Sequence, residues 1–191
     1  MSNFQFPISF KFKGVSRNEG RFIILVLLLI GIFSYFNFQQ SYIRARDVAR
    51  KNDLKHMATA LSNYFYDFNQ YPPSKDGKIL VCGNPENPQE CRWGLDGLKD
   101  LSDPNYPAYI DFFPRDPQSD SRDYIYISDT RNYQLFASLE SDQDAEYNGR
   151  VAAKKIKCGK HICNFGVSSL SKVEGDISPA TNSAQPVHVK K

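Results

Sequence analysis

Apolar and polar positions change rhythm along this chain, and each change marks an element. From Phe22 to Phe38, 17 residues pass without a charge, roughly 25 Å of helix at about 1.5 Å per residue, against a hydrocarbon core of about 30 Å. This run predicts a membrane span over 22–38. From Ile43 to Phe68 the large apolar residues recur every three or four positions: Leu54, Met57, Leu61, Tyr64 or Phe65, and Phe68. Arg46, Arg50, Asp53 and Asn63 fall on the opposite face of that helix. Neither Pro nor Gly occurs between Gly31 and Pro72, so a single long helix is predicted over 15–71. Tyr71-Pro72-Pro73 closes it, because proline disfavours helical backbone in the residue before it and has no amide to donate.

Beyond the prolines the chain reads as a loop-rich head over 72–170. A short strand is expected at Ile79 to Cys82, then a polar loop from Gly83 to Cys91 and a turn at Pro114-Arg115-Asp116-Pro117. The clearest β signal is a hairpin over 123–139. Its first arm is Tyr124-Ile125-Tyr126-Ile127 and its turn Asp129-Thr130-Arg131-Asn132. In its second arm Tyr133, Leu135, Ala137 and Leu139 share one face, which should pack on the second half of the helix. From Ser171 the residues turn small and polar, so 171–191 is expected to be a disordered tail. The fold class is therefore α+β: a long N-terminal helix, membrane-spanning in its first half, packed on a small antiparallel sheet.

Composition adds three constraints. The formal charge of +3 over 191 residues is too small to point to nucleic acid. The 11 Tyr and 14 Phe against a single Trp suit sheet packing or a sticky surface. No small-x-small site follows the apolar run, which therefore reads as an anchor uncleaved at that end. Positive charge does not orient it: Lys11, Lys13, Arg17 and Arg21 precede the span, and Arg44, Arg46, Arg50 and Lys51 follow. The cysteines do, since Cys82, Cys91, Cys158 and Cys163 all lie after the span, as expected if that part is exported to an oxidising compartment.

Four cysteines allow three pairings, of which Cys82 to Cys91 with Cys158 to Cys163 is the simplest. The rival is a zinc site built from the thiolates, with or without His161, although paired Cys-x-x-Cys knuckles are absent. The acidic stretch from Glu140 to Gly149 sets oxygen-bearing residues at alternate positions, as calcium sites require, but the commoner reading of such a stretch is a solvated acidic turn. It is not an EF-hand, since Tyr147 stands where that loop needs Gly and Ala153 where it needs Glu. His56, His161 and His188 have no nucleophile arranged around them and no Gly-rich phosphate loop occurs, so catalysis finds no support.

Several stretches recur in a recognisable order. They are Ala45-Arg46-Asp47-Val48-Ala49-Arg50-Lys51-Asn52-Asp53-Leu54, then Ala60-Leu61 through Phe68-Asn69-Gln70-Tyr71-Pro72, Gly97-Leu98, Pro114-Arg115-Asp116-Pro117, Tyr124-Ile125-Tyr126 and Tyr133-Gln134-Leu135. Over about residues 40 to 145 the chain resembles the type IV pilin-like proteins, and is most similar to the major pseudopilin of type II secretion systems. The resemblance implies assembly into filaments through the N-terminal helices. It implies as partners copies of itself or related pilin subunits, a prepilin peptidase, and an assembly platform driven by a cytoplasmic ATPase. It also gives meaning to Lys13-Gly14-Val15-Ser16-Arg17-Asn18-Glu19-Gly20, which by itself reads as the basic flank of an anchor. Residues 1–14 become a basic leader ending at Gly14, Val15 the new N-terminus in place of the family's Phe, and Glu19 the family's assembly glutamate. Asp142 and Asp144 become the candidate calcium ligands. The alternative is an unprocessed, membrane-anchored surface module that binds a ligand through its aromatic-rich head; a zinc or redox protein is a third reading.

Overall fold

The computed structural model describes residues 17–169 apart from Pro85 and Pro104. The leader boundary at Gly14 and Val15 and the tail over 171–191 lie outside the described residues. Helix α1 is Arg17–Phe68, 52 residues, and the chain divides into two compact units between Tyr42 and Ile43. In the first unit the helix is apolar all round, with Phe22 69%, Leu28 63% and Phe33 69% exposed. Its most apolar 18-residue window has a mean hydropathy of 2.2 and none of it is buried, so this helix is long and apolar enough to cross a membrane.

In the second unit α1 buries Leu54, Met57, Ala60, Leu61 and Tyr64, the stripe that the three-and-four spacing predicts. The helix ends at Phe68, three residues before Tyr71. Asn69 takes a left-handed φ of 54°, and its amide donates back to the Phe65 carbonyl at 2.7 Å. Asparagine tolerates that conformation and so caps the helix before the prolines exert their own restriction.

Two small hairpins follow where one strand and a loop were expected. Strands β1 (Ser74–Lys75) and β2 (Lys78–Ile79) pair antiparallel across Asp76-Gly77, both with positive φ, as the twist of a two-residue hairpin turn requires. Strands β3 (Cys82–Asn84) and β4 (Asn87–Gln89) form the second. The expected hairpin within 123–139 is present as β5 (Ile125–Ser128) and β6 (Tyr133–Ala137), in register from Ile125 with Phe136 to Ser128 with Tyr133.

The remaining elements are helix α2 (Gly149–Ala153) and strands β7 (Lys157–Cys158), β8 (His161–Ile162) and β9 (Phe165–Ser168). Strand β9 pairs antiparallel with β6, giving a three-stranded sheet of order β5-β6-β9. The central strand is buried on both faces. Tyr133, Leu135 and Ala137 join Leu54, Met57 and Leu61 in the main core. Phe136, on the other face, packs with Val151, Cys158 and Cys163 in a second, smaller core. The sheet thus separates α1 from the α2/β7–β8 lobe.

Candidate functional site

The apolar stripe of α1 does not stop at Leu54. Continued toward the N-terminus at the same spacing it reaches Arg50 and Asp47, and both are buried, with 0% and 1% of the residue exposed. The expectation that Arg50 lies on the solvent face opposite the stripe is therefore corrected: positions 47, 50, 54, 57, 61 and 64 form one line of contact, charged at its upper end.

The Arg50 guanidinium is saturated by three carboxylates from three segments together with Gln118. Nε and Nη2 donate to the two oxygens of Asp116 at 2.8 and 3.0 Å. Nη1 donates to Asp47 at 2.8 Å and to Glu140 at 2.7 Å. Gln118 accepts from Nη2 at 3.2 Å. Arg46 grips Glu140 from above with two contacts of 2.6 Å, and Asp47 accepts the backbone amides of Glu140 and Ser141 at 2.8 and 3.0 Å. Each paired charge-assisted contact fixes direction as well as distance. Together they clasp the helix to the Asp116 turn and to the chain leaving β6.

Electrostatics follow from this geometry. Burial opposes charge at Glu140, but the hydrogen bonds from Arg46 and Arg50 outweigh it and lower its pKa to about 2. Nearby, the buried Arg122 leaves Nε and Nη1 without a hydrogen-bond partner, and burial pushes its pKa down. Asp53 accepts the Tyr124 hydroxyl at 2.6 Å, and burial raises the aspartate's pKa above its usual value.

Acid should open the clasp. Glu140 has a lower pKa folded than unfolded, so its pairs contribute stability that is complete above about 4.5 and disappears as pH falls toward 2. Asp144 is shifted in the same direction by the Glu146 amide and Lys51, whereas Asp53, shifted up, acts against the loss. The melting temperature of the full chain in detergent, followed by calorimetry, should fall steadily through that window, and Glu140→Gln should flatten the fall. A pH-independent melting temperature between 4.5 and 2 would refute the assignment.

The other sequence candidates are placed as follows. Cys82 is bonded to Cys91 and Cys158 to Cys163, so all four sulfurs are consumed by each other rather than held for zinc. Glu19 lies in the first turn of α1, exposed, where a carboxylate suits the positive end of a helix dipole. Asp144 receives the Lys51 ammonium at 2.9 and 3.1 Å and the Glu146 amide at 2.8 Å. The Asp144 carboxylate is thus ion-paired to the Lys51 ammonium, and Asp142, two residues earlier, is exposed. Among the described residues no group of three or more His, Cys, Asp or Glu is gathered to hold a metal. Sequence reasoning missed the Arg50 clasp because a charge was assumed to mark the solvent face; the signal was the unbroken spacing through 47 and 50. The chain matches no family model, no curated protein and no solved structure.

Proposed function

We propose that this chain is a structural, non-enzymatic subunit of a pilin-like filament, of the type IV pilus or the type II secretion pseudopilus class. Its first helical segment would sit in the membrane with the N-terminus cytoplasmic and the disulfide-bonded head exported. The observation that carries the reading is α1 itself: a wholly exposed apolar segment, unpartnered within its own unit, continues as one helix into a segment that is core to an α+β head. Lipid alone would satisfy the apolar part, and so would the same segments of neighbouring copies once assembled. In that assembly the prepilin peptidase would cut after Gly14, and the platform and its ATPase would add subunits.

Cleavage would create an ammonium group on Val15, and Glu19 of a neighbouring copy could meet it in an environment where ion pairs are much stronger than in water. Edman sequencing of the chain from native membranes should begin Val-Ser-Arg-Asn-Glu, and filaments sheared from the cell surface should contain it. Glu19→Ala should be cut normally yet fail to enter filaments. An intact Met1 or Ser2 terminus, with no sheared filaments, would instead support the unprocessed surface module.

A further inference from the structure

The head is electrically divided. Residues 43–146 carry 12 Lys and Arg against 18 Asp and Glu, a net charge of −6, whereas residues 147–169 carry five Lys and Arg and no acid. Those five fall on α2, the β7–β8 hairpin and the short turn between them, where Lys155, Lys157 and Lys160 are exposed. The hairpin presenting them is stiffly held. Its ends are joined by Cys158–Cys163, the Lys160 amide donates to the Ser121 carbonyl at 2.8 Å, and Gly159 lies so close to Ser121 that a side chain there would meet its oxygen at 2.6 Å.

Besides Asp120 and Asp123, which flank the Ser121 contact, exposed acidic residues gather on a second loop. The loop around the Leu98 and Ile110 bridge carries Asp100, Asp103 and Asp111, the last two exposed. It rests on the end of α1, where Tyr109 donates to Asp67 at 2.6 Å and its ring meets Tyr64 edge-on. Burial first, then the Asp67 hydrogen bond and charge, with Tyr106 and Asp100 adding to them, push the Tyr109 pKa up. The basic lobe packs on the other face of the sheet, against Phe136. The two patches therefore belong to opposite faces of the sheet within one copy.

We infer that the α2/β7–β8 lobe of one copy docks on the Asp100–Asp111 loop of a second copy, making a head-to-tail contact. A long polyanion would satisfy the lobe but would be repelled by the −6 remainder of the same head; a second copy offers the complement without that cost. Two different patches in contact form a heterologous interface, which repeats into an open helical array unless it happens to close as a ring. The inference rests on the filament reading and names which faces of the heads would meet within it.

The test uses the full chain in light and heavy isotopic forms, mixed in detergent and reconstituted together into phosphatidylcholine vesicles. Zero-length carbodiimide coupling followed by mass spectrometry should yield mixed-isotope links from Lys155, Lys157 or Lys160 to Asp100, Asp103 or Asp111. These links should drop at least tenfold at about 1 M salt, where screening acts within about 3 Å. Lys155→Glu, Lys157→Glu and Lys160→Glu combined should abolish them. Mixing that variant with Asp100→Lys, Asp103→Lys and Asp111→Lys should restore coupling with the signs exchanged. Links confined to one isotope, or no restoration on mixing, would overturn the inference. Sheared filaments whose heads lack these links would remove it and leave the filament reading standing; the links without filaments would do the reverse.

Discussion

Replacing Arg50 with Met should destabilise the head by about 3–5 kcal/mol, the range found when one member of a buried ion-pair network is removed. The size comes from what is left behind. Asp116 loses both partners of a two-pronged contact, and Asp47 and Glu140 each lose a donor, while Asp47 and Asp116 remain almost wholly buried. Arg46 still holds Glu140, which keeps the cost from rising further. Arg50→Lys should recover little, because an ammonium cannot span two carboxylate oxygens in a fixed plane as a guanidinium does. Combining Arg50→Met with Asp116→Leu should cost less than the sum of the two single changes, since the stranded carboxylate is removed with its partner. Chemical denaturation of the full chain in detergent measures all four; a loss under 1 kcal/mol for Arg50→Met would mean that the clasp is effectively solvated.

What the sequence made legible was whatever has a period. The helix, the hairpin over 123–139 and the apolar stripe from Leu54 to Tyr64 each announce themselves by spacing. The local disulfides were the simplest of three pairings. Less visible were features that need a second segment to complete them. Strand β9, with only Phe165 to Ser168, has no alternation to speak of and exists because β6 offers it an edge. The tight turn at Asp76-Gly77 was hidden by the neighbouring apolar run. Arg50 and Asp47 obey the helical period perfectly, yet polarity argued for solvent, and only Asp116 and Glu140, 66 and 90 residues away, make burial tolerable. For the acidic run after β6, alternate oxygen atoms suggested a cation, whereas the pairing of Asp144 with Lys51, 93 residues away, needed the folded chain to be seen.

Phe136→Ala should be the second severe change, destabilising the head by about 3–5 kcal/mol through lost apolar burial and an unfilled cavity. The alternation of β6 places Phe136 opposite Leu135, so the hairpin read alone would send it to water. It is instead fully buried against Val151, Cys158 and Cys163, with Ile125, Ile127 and Ile156 around them. Its strand partner is Gly166, where a β-carbon would lie 2.9 Å from the phenyl ring, so the ring occupies the space that a side chain on β9 would need. Removing it strips the α2/β7–β8 lobe of its only large aromatic contact in that cluster. The damage should therefore be local as well as global: amides of Cys163 and Asn164, which donate to Ile156 and Ala137, should exchange faster than those of β5, and the Cys158–Cys163 bond should become accessible to mild reductant. Phe136→Leu should retain more than half of the lost stability, because most of the volume is kept. Phe112, 66% exposed, is the control, and its alanine variant should lie within about 0.5 kcal/mol of the parent. Equal effects at Phe112 and Phe136 would mean that the second face of the sheet is not a core at all.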